Sequence, residues 1–146
     1  MTLVVPYDSS PLARAALVRA DQLSGPLEES VVVVSVIRGE NAADASEKGW
    51  IEPGASFDRD AIVATLREEV AELCPAAELR IETVDTYAPK GTIARRIRRA
   101  ATAAAPSMVI IGSENAGRLV TRLSSVGGSV ASNLRYDVLI VRRPID

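Results

Sequence analysis

Seven consecutive residues, Val31-Val32-Val33-Val34-Ser35-Val36-Ile37, constrain the fold of this chain more than any others. The run is apolar without alternation, so neither face of the strand it forms can meet water. Its β-branched side chains favour extended backbone. A strand covered on both faces belongs inside a parallel sheet with helices above and below. Thr2 to Val5, Met108 to Ile111 and Val138 to Val141 repeat the signal in shorter form, and Leu79 to Val84 alternates as a further strand. Helical patterns separate them. Ser10 followed by Pro11 starts the first, as N-cap and first helical residue. Leu12, Ala15, Ala16, Val18, Ala20 and Leu23 give that helix a broad apolar face, and Ser24-Gly25-Pro26 is predicted to end it. Asp60 to Leu73 is a second helix, with Ile62, Val63, Leu66, Val70 and Leu73 inward and Pro75 as its stop. A third begins at Gly91-Thr92 and turns Ile93, Ile97, Ala101 and Ala104 to the core. Gly39 to Asp58, rich in glycine and polar residues, reads as a long loop over the sheet edge. Strand and helix alternate throughout, which dictates parallel strands joined by right-handed crossovers.

At 146 residues the chain fits one domain, residues 1–146. Aromatics are only 3% while hydrophobic residues reach 47%, a balance that suits short buried strands packed on Ala-rich helices. No apolar run approaches the ~20 residues needed to span a bilayer. Met1 leads directly into a strand without a basic, signal-like segment, so a cytoplasmic location is expected. The chain has no histidine and one cysteine, Cys74. That excludes Ser–His and Cys–His nucleophile systems within one chain, an intramolecular disulfide and a cysteine zinc cluster. A net charge of −2 exerts no global pull on nucleic acid or membranes. Arg95, Arg96, Arg98 and Arg99 are expected on the wet face of the third helix, opposite its apolar stripe.

Residues 108–144 carry the chemistry. They read as a buried strand, a Gly- and Ser-rich loop, a helix from about Ser125 to Leu134, and a last strand. Small residues ahead of a helix N-terminus let backbone N–H groups approach a phosphate. The same loop also serves as a purely structural turn, and both readings stand. Arg118 and Arg122 within it either contact phosphates or lie on the surface.

TLVVPYDSS at the start, Val36-Ile37 closing the second strand, the segment Val84 to Thr92 with Gly91, and SSVGGSVASNLRYDVLIVRR at the end together resemble the universal stress protein family over nearly the whole chain. The resemblance implies a Rossmann-like α/β fold, a five-stranded parallel sheet in the order 3-2-1-4-5 with helices on both faces. Ligands of such a sheet bind outside the C-terminal ends of strands one and four. It also implies that Asp8, beside Pro6, contacts an adenine and that the backbone at Val36 and Ile37 reads the base edge. Gly112, Asn115, Gly117, Arg118, Ser124, Ser125 and Val126 complete the implied nucleotide site. Asp8 has a second reading, as a turn or capping residue ahead of Pro11.

Nucleotide-binding members of the family carry Gly, two residues, Gly, nine residues, then Gly and Ser or Thr. Gly112 takes the first position, but Asn115 stands at the second. Aligned without a gap, Ser124 and Ser125 take the final pair and the intervening segment is one residue short. Reading from Gly117 restores nine residues before Gly127 but shifts the helix start. A Cβ in a tight phosphate loop blocks backbone approach, although Asn tolerates left-handed backbone better than most residues.

The expected function is that of a sensor or signalling module without robust catalysis, binding ATP or a related adenine nucleotide with magnesium as companion ion. The alternative keeps the fold but not the ligand: a dimeric protein–protein interaction module. Pyrophosphate-forming adenylating enzymes share the general fold, but Pro6-Tyr7-Asp8-Ser9-Ser10 lacks the glycines they need after strand one. In the resembled family the last strand pairs with its copy in a second subunit, so a homodimer through Val138, Leu139, Ile140, Val141 and Arg142 is expected. Neither nucleic acid nor membrane is expected as a partner.

Overall fold

The computed structural model describes residues 1–116 and 136–145. Its strands are β1 (Thr2–Pro6), β2 (Ser30–Arg38), β3 (Glu78–Val84), β4 (Pro106–Gly112) and β5 (Asp137–Val141). Its helices are α1 (Pro11–Leu27), α2 (Ala42–Glu47), α3 (Arg59–Leu73) and α4 (Lys90–Ala103). The strands form one five-stranded sheet in the order β3-β2-β1-β4-β5. All four pairings are parallel. No helix among the described residues is long and apolar enough to cross a membrane.

The period of a strand explains why the interior strands are apolar without a break. Successive side chains point to opposite faces, and here both faces are core. Leu3, Val5, Val31, Val33, Ile37 and Ile110 pack with Leu17, Ile62 and Leu66 on the face that carries α1 and α3. Val4, Val32, Val34 and Val109 turn the other way, against Ala100 and Ala101 of α4. Val36 continues that second face with Val84 and Ala88. Ser35 is the one polar residue fully buried among those described, and its hydroxyl donates to the Tyr7 carbonyl at 2.8 Å. The Tyr7 N–H in turn donates to Val34 O at 2.9 Å, which carries the ladder past the end of β1. The β3 edge is the exception to the apolar rule. Its alternating Glu78, Arg80 and Glu82 place charge where an unpaired strand would otherwise invite another chain.

Three expectations need correction. First, α1 does not stop at Ser24-Gly25-Pro26 but runs to Leu27 with Pro26 inside its last turn. A proline there removes one late hydrogen bond, and the helix closes through Glu28 in left-handed conformation, its N–H directed to Gly25 O and Ser24 O. Second, the segment 39–58 is not simply a loop. It contains α2, capped by the Asn41 side chain on the Asp44 N–H, and it buries Ala45 and Trp50 in the core. Third, α4 buries Ala94, Ala100 and Ala101, while Ile93 and Ile97 are only partly covered. Its large residues border open space at the ends of the strands.

The connection from β1 to α1 is held from two directions. Ser9 is left-handed at φ 68, and its hydroxyl donates to Glu69 Oε1 at 2.6 Å while accepting the Trp50 indole N–H at 2.8 Å. The buried Tyr7 hydroxyl donates to the same Glu69 oxygen at 2.7 Å. Arg14 closes the group, with Nη2 3.2 Å from Glu69 Oε2 and Nε donating to Ser9 O. Burial foremost, and then the Glu69 carboxylate beside it, hold the Tyr7 phenol well above its ordinary pKa, so it remains a donor. A second constraint acts at the end of β4. A Cβ placed on Gly112 would lie 2.7 Å from the carbonyl carbon of Leu12, so only glycine lets β4 touch the first turn of α1.

Each constraint yields a prediction. Gly112→Ala drives the new methyl into α1 backbone, which cannot yield as a side-chain tip can. It should lower stability by roughly 1–3 kcal/mol, read as a reduced midpoint in urea denaturation. Glu69→Leu leaves the Tyr7 and Ser9 hydroxyls without their acceptor, at a cost of roughly 1–3 kcal/mol. Because Trp50 is the only tryptophan and bonds to Ser9, its emission should shift in that variant even under conditions where circular dichroism shows a folded chain. Unchanged emission would mean that Glu69 does not order the loop.

Candidate functional site

The C-terminal ends of β1, β2 and β4 open into a cleft of about 1240 Å³. β1 sits between β2 and β4, and the chain crosses from one side of it to the other, so the cleft lies where the strand order reverses. That is where open α/β sheets bind their ligands, because diverging connections leave a crevice there. Its lining comes from Pro6 to Pro11, from Val34, Val36 and Arg38 of β2, from Ile111 of β4 with Glu114 and Asn115 after it, and from the N-terminal half of α4. Asp44, Glu47 and Lys48 of the α2 region complete it.

Asp8 occupies the junction. Its Oδ1 accepts the Ser10 N–H at 3.0 Å, an Asx turn that presents Ser10 as N-cap of α1, where its hydroxyl accepts the Ala13 N–H. Its Oδ2 accepts the Asn115 side-chain amide at 3.0 Å, across from the β4 side. Each carboxylate oxygen has two lone pairs, so both keep capacity for a further donor. The two readings of Asp8 therefore coexist in geometry: it shapes the turn and still faces the cleft. Asn115 is not left-handed. Residues 113–116 are helical directly after β4, and Asn115 contributes an amide donor rather than backbone freedom. An asparagine where the family pattern has glycine thus acquires a side-chain contact that glycine lacks.

Of the residues implied by resemblance, Pro6, Asp8, Val36 and Asn115 line the cleft. Ile37 does not. It is 1% exposed and points into the opposite face of the sheet, as a neighbour of Val36 on a strand must. Gly112 is placed by packing on Leu12. Gly117, Arg118, Ser124, Ser125 and Val126 lie outside the described residues, as does the helix expected from Ser125.

Several lining residues escaped the sequence reading. Arg38 donates from Nε to Ala88 O at 2.9 Å and from Nη1 to Asp44 Oδ1 at 2.8 Å. Lys48 takes the other oxygen of Asp44 at 3.0 Å and lies 5.0 Å from the centroid of Trp50. Both cations close on a single half-buried carboxylate, so they brace the wall of the cleft. Thr92, Arg95 and Arg98 border it from α4, with Arg95 Nη2 donating to Thr92 Oγ1 at 3.2 Å. The four α4 arginines were expected to share one solvated face. Arg95 and Arg99 are exposed and Arg96 and Arg98 half-buried, and Arg95 and Arg98 also border the cleft, because the residues covering the sheet are alanines and the bulkier flank of the helix overhangs the strand ends. The three-residue spacing of Thr92, Arg95 and Arg98 was the available signal. Among the described residues, no group of three or more His, Cys, Asp or Glu side chains is arranged to hold a metal ion.

The chain matches the universal stress protein family over residues 1–142. None of the curated proteins compared matches it. Among solved structures, a universal stress protein in complex with cAMP is 23% identical over 97% of each chain, with a TM-score of 0.51. A protein of the family from Burkholderia pseudomallei is 22% identical, covering 97% of this chain and 96% of that one at a TM-score of 0.57. A universal stress protein from Archaeoglobus fulgidus DSM 4304 is 18% identical, covering 98% of this chain but 44% of its own, at a TM-score of 0.54. At these identities the likeness is one of fold. With the β3-β2-β1-β4-β5 order and a family match that runs from β1 to the end of β5, the chain belongs to the universal stress protein family.

Proposed function

We propose that the cleft binds an adenine nucleotide, ATP or a close relative, and that the protein acts as a nucleotide-responsive sensor or signalling module. The observation that carries this reading is Asp8, held at the reversal point of the sheet by Ser10 and Asn115 with acceptor capacity left over. A carboxylate with spare lone pairs suits the exocyclic amine of adenine. Val36, Ile93, Ile97 and Ile111 offer apolar surface to the faces of the base. The relative solved with cAMP supports the ligand class. Magnesium, in this reading, arrives on the phosphates, and Glu114 and Glu47 are carboxylates of the lining that could share it. We assign no catalytic residue. Burial and the Glu69 carboxylate hold the Tyr7 phenol above its ordinary pKa, and the chain has no histidine to serve as base.

The competing reading, an interaction module of the same fold without nucleotide, draws on the same carboxylate: both Asp8 oxygens already have protein partners. Calorimetric titration with ATP and magnesium separates the two. Micromolar binding by the parent protein is expected, weakened about tenfold or more by Asp8→Ala through loss of a charge-assisted contact. A flat titration of the folded parent protein leaves the module reading standing.

We also propose that the protein is a homodimer joined through β5 and Arg142. In the described sheet β5 is an edge strand, and its Val138, Leu139 and Ile140 are only half buried, an apolar edge that pairing with a second copy would cover. Light scattering at micromolar concentration should give twice the 15.5 kDa chain mass. A monomeric mass overturns the dimer and leaves the nucleotide reading untouched.

A further inference from the structure

The neighbour of Asn115 fixes which way its side chain is turned. Opposite a carboxylate an amide presents its nitrogen, since its oxygen has no hydrogen to give. The 3.0 Å contact with Asp8 Oδ2 therefore identifies Nδ2 as the donor. An amide nitrogen carries two hydrogens, and Asp8 takes one of them. The second, like Oδ1, has no partner among the described residues. Asn115 is half-buried and lines the cleft. On the β4 side of β1 the cleft thus holds an acceptor, Asp8, and a spare donor, Asn115, side by side. The β2 side holds a second such pair. β1 ends at Pro6, and Tyr7 makes the last bond along that side of β2, from its N–H to Val34 O. The N–H and C=O of Val36 lie two residues further on and point the same way, past the end of β1, so they are left to the cleft that Val36 lines. Because β2 and β4 flank β1, the two pairs face the cleft from opposite sides.

Resting on the nucleotide reading above, we propose that Asn115 is a specificity residue for the base, donating its free N–H to adenine N7 while Asp8 accepts from the N6 amine. The amine of adenine lies between two ring acceptors, N1 and N7, so the base offers a donor beside an acceptor on each of two edges. Each edge is the complement of one pair in the cleft. N1 and one N6 hydrogen meet Val36, while N7 and the other N6 hydrogen meet Asn115 and Asp8. Side-chain amides read the same N6–N7 edge where proteins contact DNA bases, for the same reason. Guanine turns a carbonyl oxygen toward Asp8 in place of the amine, and cytosine has a C–H where adenine has N7. The pairing involves the base alone, wherever the phosphates lie. A glycine at position 115 has no side chain with which to make it.

Calorimetric titration of the full chain, in magnesium, with ATP and with 7-deaza-ATP tests the assignment, since the second ligand carries C–H in place of N7. The parent protein should bind ATP about tenfold more tightly, the effect of one hydrogen bond that the analogue leaves unmade. In Asn115→Ala the two affinities should become equal, because the group that tells them apart is gone. Ser113→Ala, in the same helical turn but outside the cleft lining, should keep the preference. Equal affinities in the parent protein overturn the proposal. So does a preference that survives Asn115→Ala, the result expected if the amide only steadies Asp8, since both ligands then weaken together. In either case ATP binds and the nucleotide reading stands. If the folded parent protein binds neither ligand, both fall together.

Discussion

The approach of Gly112 to the backbone of Leu12 is the contact on which the ligand end of this molecule depends. With 2.7 Å between a hypothetical Cβ and the Leu12 carbonyl carbon, β4 and the first turn of α1 are too near for any residue but glycine at this position. Asp8 lies two residues before the N-cap of α1, and Asn115 lies three residues after Gly112. Their 3.0 Å hydrogen bond therefore follows from that approach. Were the helix pushed outward by a methyl group, the amide would no longer reach the carboxylate. A rule of packing thus produces the floor of the cleft before any ligand is considered.

The second support comes from chain elements far away in sequence. A non-glycine residue in left-handed conformation costs on the order of 1–3 kcal/mol, and Ser9 adopts it at φ 68. The cost is offset by the bonds of its hydroxyl to Glu69 and Trp50, from α3 and from the segment after α2. Tyr7 adds a third bond to the same carboxylate. The loop bearing Asp8 is consequently ordered in advance, and a ligand arriving there does not meet the entropy cost of ordering it. The position of Trp50, one hydrogen bond from Ser9, makes the lone indole part of that support.

The parallel sheet could be read from residue pattern because its cause is local. Runs such as Val31 to Val34 have one physical explanation, burial on both faces, and the alternation with helices leaves few topologies. The order of strands came from resemblance, not from pattern, and the structure agrees with it. What escaped had non-local causes. Trp50 sits in a polar, glycine-bearing stretch, and only the pocket under Ser9 and Glu69 explains why it is buried. Pro26 reads as a helix stop, yet the left-handed Glu28 moves the end of α1 two residues on. That Arg95 and Arg98 border the cleft was hidden because the hydrophobic pattern of α4 favours its isoleucines, whereas the contact with the sheet is made by alanines. Ile37 was placed in the site through its backbone, which the inward direction of its side chain leaves open.

The glycine pattern of the family combines constraints of different origin, and this chain separates them. Gly112 would be required by the α1 contact whether or not a nucleotide ever bound, so its presence says nothing about ligand. Asn115 stands where a second glycine was expected, in helical backbone that demands no glycine, and its amide binds the Asp8 carboxylate at the reversal of the sheet. Loss of that glycine therefore does not by itself argue against a ligand, since here the substitution creates an interaction at the cleft. The informative quantity is the spare acceptor capacity of Asp8. A motif counted in glycines records where the backbone must pass closely; the charged side chains around it decide what the space can hold.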